Sequence, residues 1–460
     1  MTLCSPAQFL QAVAPQLLRA TLKQLSSKSV PTRQQCFVLL RQTAEALAGG
    51  LDSEADRICS AAIGALRSCD SATTSALLMA ALSFLAAFFR CHTARCYLGH
   101  LVDLVSVIVR SMKHKLQRVN FEAFAAASSL AQSIRPKGSA SPLPNSFSRP
   151  VGQLFDATTE VLADSSVDSE VRERALETLG SLLAHEGDAL TPSYSMCLPL
   201  ISDRLGNDNT AITAIQVIGK IVESPVCKGQ DFDAWLLNVL PNVVVAIRKS
   251  KRSAGRSAEF VCLQHMLGRV GSGLPKTVAE GIIVELKPFI ETPTALHIVA
   301  LILAQQPACR STVEEQLLPL TMEAVKTPSI NPNMIDALTA FFAAYIDGDI
   351  DAATRLGSSL VDNLGKAESL PDATRGGTST YTATARCVGV VVEHSQRNAA
   401  GVVSMFQKTM KVILSPYLGC VALTKVTVLE ENRGRCLPGI AVPRRDRQDG
   451  VSRFAWHRSA

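Results

Sequence analysis

A hairpin of two amphipathic helices recurs along most of this chain and constrains its fold more than any other feature. Residues 154–190, LFDATTEVLADSSVDSEVRERALETLGSLLAHEGDAL, contain an apolar helical stripe, a turn rich in Asp and Ser, and a second stripe that closes at a glycine. Similar units return about every forty residues. Because a repeat of this kind buries its apolar side only against its neighbours, the pattern predicts an all-α solenoid.

The two arms of this hairpin follow the period of half-buried helices. Apolar residues recur at intervals of three and four positions from Leu154 to Leu162, and again from Val171 to Leu183. Asp168 or Ser169 is suited to cap the second helix. Gly187 follows the last stripe, which predicts a left-handed residue at the helix end.

The same reading along the chain predicts a HEAT/ARM-type α-solenoid superhelix of about nine hairpins within residues 1–410. The predicted units are 9–51, 52–100, 101–136, 151–190, 191–230, 233–275, 277–312, 313–349 and 352–410.

Two stretches are predicted to lie outside the helices. Four prolines, including Pro136 and Pro150, together with several serines, predict a flexible insertion at about 136–151. The basic stretch 411–460 has β-branched residues without a helical period and is predicted to be a disordered tail. A second loose segment is expected at 368–380.

Charge argues against a nucleic-acid partner. The net charge is +6, but the last fifty residues hold nine of the 46 Lys and Arg and only four of the 40 Asp and Glu. The predicted solenoid is therefore almost neutral and has no general phosphate-binding surface.

The longest apolar run predicts a buried helix and not a membrane span. It extends from Ala76 to Phe89, and fourteen helical residues reach about 21 Å, whereas the hydrocarbon core is ~30 Å thick. The first residues lack a basic flank followed by a continuous apolar core, so we expect no secretory signal.

No residue is assigned a catalytic, cofactor-binding or metal-binding role. Among the 13 cysteines only Cys91 and Cys96 are close, with His100 beyond, and the absence of a second paired cluster favours ordinary buried thiols. His297 lies in an apolar helix and is read as a core residue. We therefore expect no enzyme activity, no cofactor and no small-molecule substrate.

A basic cluster is expected on the turn of the sixth hairpin. It is read as a solvated loop, with an acidic partner or a nuclear-import signal as alternatives. Its members are Arg248, Lys249, Lys251, Arg252 and Arg256.

Several segments resemble the central repeats of the cullin-associated, neddylation-dissociated protein family. They include SSKSVPTRQQCFVLLRQTAEALAGGL from Ser26, VNFEAFAAASSLAQSIRP from Val119, the hairpin at Asp168, VLPNVVVAIRKSKRSAGR from Val239, and STYTATARCVGVVVEHSQRNAAGVVSMFQ from Ser379. The resemblance covers about residues 15–410, in order and with compatible spacing.

The resemblance implies a cytoplasmic or nuclear scaffold that binds unmodified cullin with its RING subunit and regulates assembly of SCF-type ubiquitin ligases. It implies the middle of a longer protein, without the carboxy-terminal region that meets the adaptor site, and it identifies no partner-binding residue. The alternatives are a HEAT adaptor of the transport or phosphatase-scaffold type, or a truncated product without independent activity.

Overall fold

The computed structural model describes residues 6–68, 74–207, 209–249, 256–327, 330–365 and 380–394, together with Gln407. These residues form nineteen α-helices, numbered in chain order and joined by turns and short 3₁₀ helices. The first helices of successive hairpins are α1 (Pro6–Gln24), α3 (Ala55–Arg67), α5 (Leu101–Met112), α7 (Asn145–Ala163), α9 (Tyr194–Ser202), α11 (Gln230–Lys249), α13 (Lys276–Leu286), the pair α15 (Arg310–Gln316) and α16 (Leu318–Val325), and α18 (Ile350–Gly365).

The second helices of the hairpins complete the fold. They are α2 (Val30–Ala46), α4 (Ser75–Cys91), α6 (Gln117–Ile134), α8 (Ser169–Glu186), α10 (Ala211–Val222), α12 (Arg256–Val270), α14 (Pro293–Gln305), α17 (Pro332–Ile346) and α19 (Thr380–His394). Each pairs with the first helix before it, which gives hairpins 1 to 9 within the described ranges. The predicted all-α HEAT solenoid is confirmed.

Local sequence explains how the central hairpin forms. The side chain of Asp168 accepts a hydrogen bond of 2.8 Å from the backbone N–H of Glu170 and so caps the first turn of α8. The predicted stripes 154–162 and 171–183 supply the buried positions of α7 and α8. Arg174, which lies off the stripe, pairs with Glu177 at 2.8 Å.

Each second helix packs mainly against the second helices of the neighbouring hairpins, and this stacking produces one continuous core. The predicted buried helix is α4, where Leu77, Phe84 and Phe88 have no exposed surface. In the described part of the chain, no helix has the length and apolarity required to span a membrane. At Gly180 a Cβ would lie 2.7 Å from Val217 Cγ1, so glycine permits the close approach of α8 and α10.

The prediction that Pro150 lies outside a helix is wrong. Helix α7 begins at Asn145, directly after the extended Pro144. Pro150 lacks the N–H that would bond one turn back, but it is buried with Phe147 and Val151, and this packing stabilises the helix. Residues 136–144 join α6 to α7 without forming a helix.

The structure also differs from the sequence predictions at Gly187 and at His297. Gly187 is right-handed, with φ of −57°, and glycine is required there for space because a Cβ would lie 2.6 Å from Cys227 Sγ and 2.8 Å from Tyr194 Oη. His297 is exposed and not in the core: Leu296 and Ile298 on either side of it are buried, and the helical period turns residue 297 outward.

The predicted tail 411–460 and most of the loose segment 368–380 lie outside the described residues.

Candidate functional site: the inner face of the solenoid

The exposed sides of the second helices form a continuous surface, which we call the inner face. Successive second helices pack more closely than successive first helices. Polar side chains that lie off the buried stripe of one second helix therefore meet those of the next. Residues about forty positions apart in sequence act together on this surface.

Two arginines connect the inner face across hairpins 1 to 3. Arg41 on α2 donates from Nη1 to Ser83 Oγ on α4 at 3.1 Å. Arg90 at the end of α4 donates to Ser129 Oγ on α6 at 3.4 Å and lies 3.7 Å from the Glu45 carboxylate. Because Arg90 and Glu45 are each about half exposed, their attraction is worth less than about 1 kcal/mol, and the arginine is available to a partner.

Glu122 on α6 lies among these side chains. Burial raises the pKa of its carboxyl, while a hydrogen bond with Ser83 and the charges of Arg41 and Arg90 act in the opposite direction. Desolvation is therefore the larger effect. A partner that covered this part of the inner face would desolvate Glu122 further.

A groove of about 370 Å³ lies between α6 and α8. Its floor and walls include Phe121, whose ring centre lies 5.9 Å from the guanidinium carbon of Arg174. Ser128 Oγ donates to Thr178 Oγ1 at 3.1 Å, and both residues line the groove. Aromatic and arginine side chains are enriched in protein interfaces, so the groove has the composition of a protein-binding surface.

A second set of contacts follows the edge where the second helices end, and we call it the carbonyl ladder. Side chains at the end of one second helix donate to carbonyl oxygens at the end of the preceding one, which a helix leaves without partners of its own. Five successive junctions, between hairpins 2 and 7, are bonded in this way. The donors and acceptors are Ser133 to His92, His185 to Arg135, Ser224 to Ala184, Cys227 to Leu183, Arg269 to Val222 and Ser224, and Gln305 to Leu267.

Cys96 and His100, which the sequence places close to Cys91, contact different residues in the structure. Cys96 Sγ lies 3.4 Å from Thr93 Oγ1, while His100 Nε2 lies 3.1 Å from an oxygen of Asp56. Cys91 and Cys96 are free and only partly buried, and desolvation raises the pKa of both thiols. Across the described ranges, no group of three or more His, Cys, Asp or Glu is placed to hold a metal ion.

The basic cluster of hairpin 6 is only partly described. Arg248 pairs with Glu285 at 2.9 Å, and the Arg256 guanidinium carbon lies 5.1 Å from the centre of the Phe289 ring. Lys251 and Arg252 lie outside the described residues. The two described arginines are therefore engaged with hairpin 7.

The part of the chain that carries the inner-face groove matches a known family. A family model described as CAND1-like, TPR repeats matches residues 49–179, from the loop before α3 into α8. Cullin-associated NEDD8-dissociated protein 1 of Drosophila melanogaster is 26% identical over 349 residues, and the protein of that name from Arabidopsis thaliana is 25% identical over 419 residues. The chain is similar in sequence to the cullin-associated NEDD8-dissociated proteins.

The chain spans about a quarter to a third of the length of the cullin-associated NEDD8-dissociated proteins it matches. The two alignments cover 74% and 88% of this chain but 28% and 33% of those relatives. Cullin-associated NEDD8-dissociated protein 2 of Rattus norvegicus is 26% identical over 345 residues, which are 73% of this chain and 26% of the rat protein.

Solved structures agree with the solenoid fold of this chain. An engineered protein superposes with a TM-score of 0.53 at 15% identity, over 86% of this chain and 98% of its own. Kap121p bound to Nup53p superposes with a TM-score of 0.52 at 13% identity, over 90% of this chain and 44% of Kap121p. At these identities the likeness concerns the fold alone.

Sequence reasoning assigned no partner-binding residue, and it missed this part of the inner face. Phe121, Glu122 and Arg174 all lie within residues 49–179, which match the family model described as CAND1-like, TPR repeats. The sequence contained only a weak signal for these three residues. Each lies at the margin of the buried stripe of a second helix or outside it, and many solvated residues do the same. Only the stacking of α6 on α8 brings Phe121 and Arg174 together.

Proposed function

We propose that this chain is a scaffold that binds unmodified cullin in complex with its RING subunit and thereby regulates assembly of SCF-type ubiquitin ligases. The observation that carries the proposal is the family match over residues 49–179, which contain the Phe121–Arg174 groove. We assign cullin contact to the inner face between Arg90 and Arg174. The cytoplasm and the nucleus are the proposed sites of action.

The proposed mechanism is stoichiometric and involves no bond chemistry. A scaffold shifts the equilibrium between two states of a partner only by the difference in its affinity for them. A tenfold preference for unmodified cullin corresponds to about 1.4 kcal/mol. The carbonyl ladder supports such a role, because bonds at successive junctions hold the repeats in register and reduce the ordering cost of binding.

The test is capture of purified cullin–RING complex on the immobilised chain, with the cullin either unmodified or carrying its ubiquitin-like modifier. We expect recovery of the unmodified complex only. Equal recovery of both forms, or recovery of neither, contradicts the proposal.

Charge-reversal variants test whether the cullin contact lies on the inner face. The double variant Arg90→Glu and Arg174→Glu is expected to weaken capture at least about tenfold, since interfacial arginines frequently dominate binding energy. Arg57→Glu is the matched control, because Arg57 is 60% exposed on the first helix α3. Loss of capture in the control to the same extent contradicts the assignment to the inner face.

A further inference from the structure

A small polar cleft lies between the start of α8 in hairpin 4 and the turn that joins α9 to α10 in hairpin 5. Its volume is about 100 Å³, and its lining includes Ser169, Arg172, Arg204, Asn207 and Asn209. Because one water needs only about 10–15 Å³, the cleft has room for the four oxygens of a phosphate group. It shares no lining residue with the groove between α6 and α8, so it is distinct from the proposed cullin contact.

Two arginines bring positive charge to this cleft, Arg172 from α8 and Arg204 from the α9–α10 turn. Neither guanidinium forms an ion pair with a carboxylate of the described residues, and the Nε atom of each is buried without a hydrogen-bond partner. Burial lowers the pKa of Arg204, the charge of Arg172 lowers it further, and Asp203 acts in the opposite direction. Because buried polar groups nearly always have a partner in folded proteins, the two unpaired Nε donors indicate an anionic ligand.

Further groups suited to an anion surround the two arginines. Helix α10 begins at Ala211 without a side-chain cap, since the Thr210 hydroxyl donates instead to the Arg204 carbonyl oxygen at 2.9 Å. The partial positive charge of a helix N-terminus therefore lies at the same cleft. Asn207 Oδ1 accepts a hydrogen bond of 3.0 Å from the backbone N–H of Asn209, which leaves the amide nitrogen of Asn207 as a donor.

The balance of charge at the cleft is positive. Glu173 is the one carboxylate among its described lining residues, and Glu173 Oε1 accepts a hydrogen bond from Thr213 Oγ1. Asp164 is close enough to Arg172 for their charges to interact, but it accepts from the backbone N–H and the hydroxyl of Ser166 at 2.8 and 2.7 Å. Two arginines therefore face a single lining carboxylate that already has a partner.

We propose that this cleft binds a phosphate group. The guanidinium groups of Arg172 and Arg204 bind its oxygens from two hairpins, Asn207 donates a further hydrogen bond, and the N-terminus of α10 stabilises the negative charge. A phosphate monoester carries about two negative charges and several acceptor oxygens, so it matches two arginines better than a carboxylate does. The bound group also links hairpin 4 to hairpin 5, because its ligands come from both.

The test is isothermal titration calorimetry of the whole chain with sodium phosphate in a chloride buffer. We expect saturable binding of one phosphate per chain. Arg172→Gln is expected to weaken this binding at least about tenfold, because it removes a charge-assisted hydrogen bond. Arg204 also donates to the Leu162 carbonyl oxygen at 2.9 Å, whereas Arg172 forms no ion pair within the described residues. Arg172→Gln should therefore keep the circular dichroism and melting temperature of the phosphate-free wild-type chain.

A second variant leaves both arginines in place. Asn209→Asp adds a carboxylate at an exposed position of the lining, and charge repulsion should weaken phosphate binding to a similar extent. Lys220→Gln is the matched control, since Lys220 is exposed in the last turn of α10, at the end of the helix away from the cleft. It removes one positive charge, as Arg172→Gln does, and should leave the dissociation constant unchanged.

The phosphate group has two sources, the free ion and a phosphorylated side chain of a partner protein, and N-acetylphosphoserine amide distinguishes them. Tighter binding of this compound than of inorganic phosphate, without binding of N-acetylserine amide, assigns the cleft to a phosphorylated side chain. Equal or weaker binding assigns it to the free ion. The proposal is overturned if phosphate gives no saturable binding, or if Arg172→Gln and Asn209→Asp bind phosphate as tightly as the wild-type chain does.

Discussion

Arg135 Nε lies 3.8 Å from a carboxylate oxygen of Glu186, and both side chains are buried. The Arg135 guanidinium also donates to Asp188 at 2.7 Å, whereas neither Glu186 oxygen has a hydrogen-bond partner. Burial raises the pKa of Glu186 to about 8, Asp188 adds to the rise, and the attraction of Arg135 opposes it. The Glu186 carboxyl is therefore mainly protonated in the folded chain at neutral pH.

Replacement of Glu186 is expected to change the pH dependence of stability. Since its folded pKa lies above its unfolded value, the folded state retains a proton that the unfolded state releases between about pH 4.5 and 8. The free energy of unfolding of the wild-type chain falls with rising pH across this window, by up to about 1.4 kcal/mol per pH unit from this group. Glu186→Gln removes that component.

Urea unfolding followed by circular dichroism at several pH values measures this effect. The difference in stability between Glu186→Gln and the wild-type chain should increase from pH 5 to pH 8 in favour of the variant. The control is Ser169→Ala at an exposed position of the same helix, which removes no titratable group and should follow the wild-type pH profile. Parallel pH profiles for Glu186→Gln and the wild-type chain would contradict the assignment.

Gly187→Ala is expected to lower the free energy of unfolding by about 1–3 kcal/mol, as overpacking does. The added Cβ would lie 2.7 Å from the Leu183 carbonyl oxygen and 2.8 Å from Tyr194 Oη, which donates to the Gly187 carbonyl. Gly281→Ala is the control: its Cβ meets nothing within 4 Å, and a better helix former there should stabilise α13. Thermal unfolding of the two variants is the measurement. If Gly187→Ala leaves the free energy of unfolding unchanged, the space for a Cβ does not explain why glycine occupies this position.

Asn120→Ala is expected to destabilise hairpin 3 by about 2 kcal/mol, because carbonyls of the turn lose their buried donor. Gln132→Ala on the exposed side of the same helix should have little effect. Native-state hydrogen exchange of the amides in α5 and α6 is the measurement. Unchanged protection in Asn120→Ala would mean that other contacts hold the turn.

Arg269 is expected to be the most sensitive position of the carbonyl ladder. It donates to Val222 and Ser224 at 3.3 and 3.0 Å, and its guanidinium carbon lies 5.4 Å from the centre of the Phe232 ring. Arg269→Ala should lower the stability of hairpins 5 and 6 by about 3 kcal/mol.

Arg248→Ala is the control for Arg269, because it breaks a half-exposed ion pair and should cost less than about 1 kcal/mol. Hydrogen exchange in α10 and α12 reports the difference. Equal loss of protection in the two variants would contradict a structural role for the ladder.

The repeat pattern in the sequence predicted most of the fold. The stripe from Val171 to Leu183 and the cap at Asp168 are local features, and they predicted α8 correctly because burial follows the helical period. The predictions for His297 and Pro150 were wrong because they were based on residue composition. His297 lies in an apolar helix but on the outward side of its period, and Pro150 is kept within α7 by its buried packing.

The sequence by itself determined that the chain forms stacked helical hairpins, since amphipathic spacing leaves each hairpin with an apolar side that only a neighbour can cover. The tertiary structure alone decided which polar residues meet: Arg174 with Phe121, Arg135 with Glu186, and Tyr194 with Gly187. The first two contacts join residues about fifty positions apart, and their geometry depends on the rotation and spacing between successive repeats. The third crosses a turn whose close approach no local periodicity encodes.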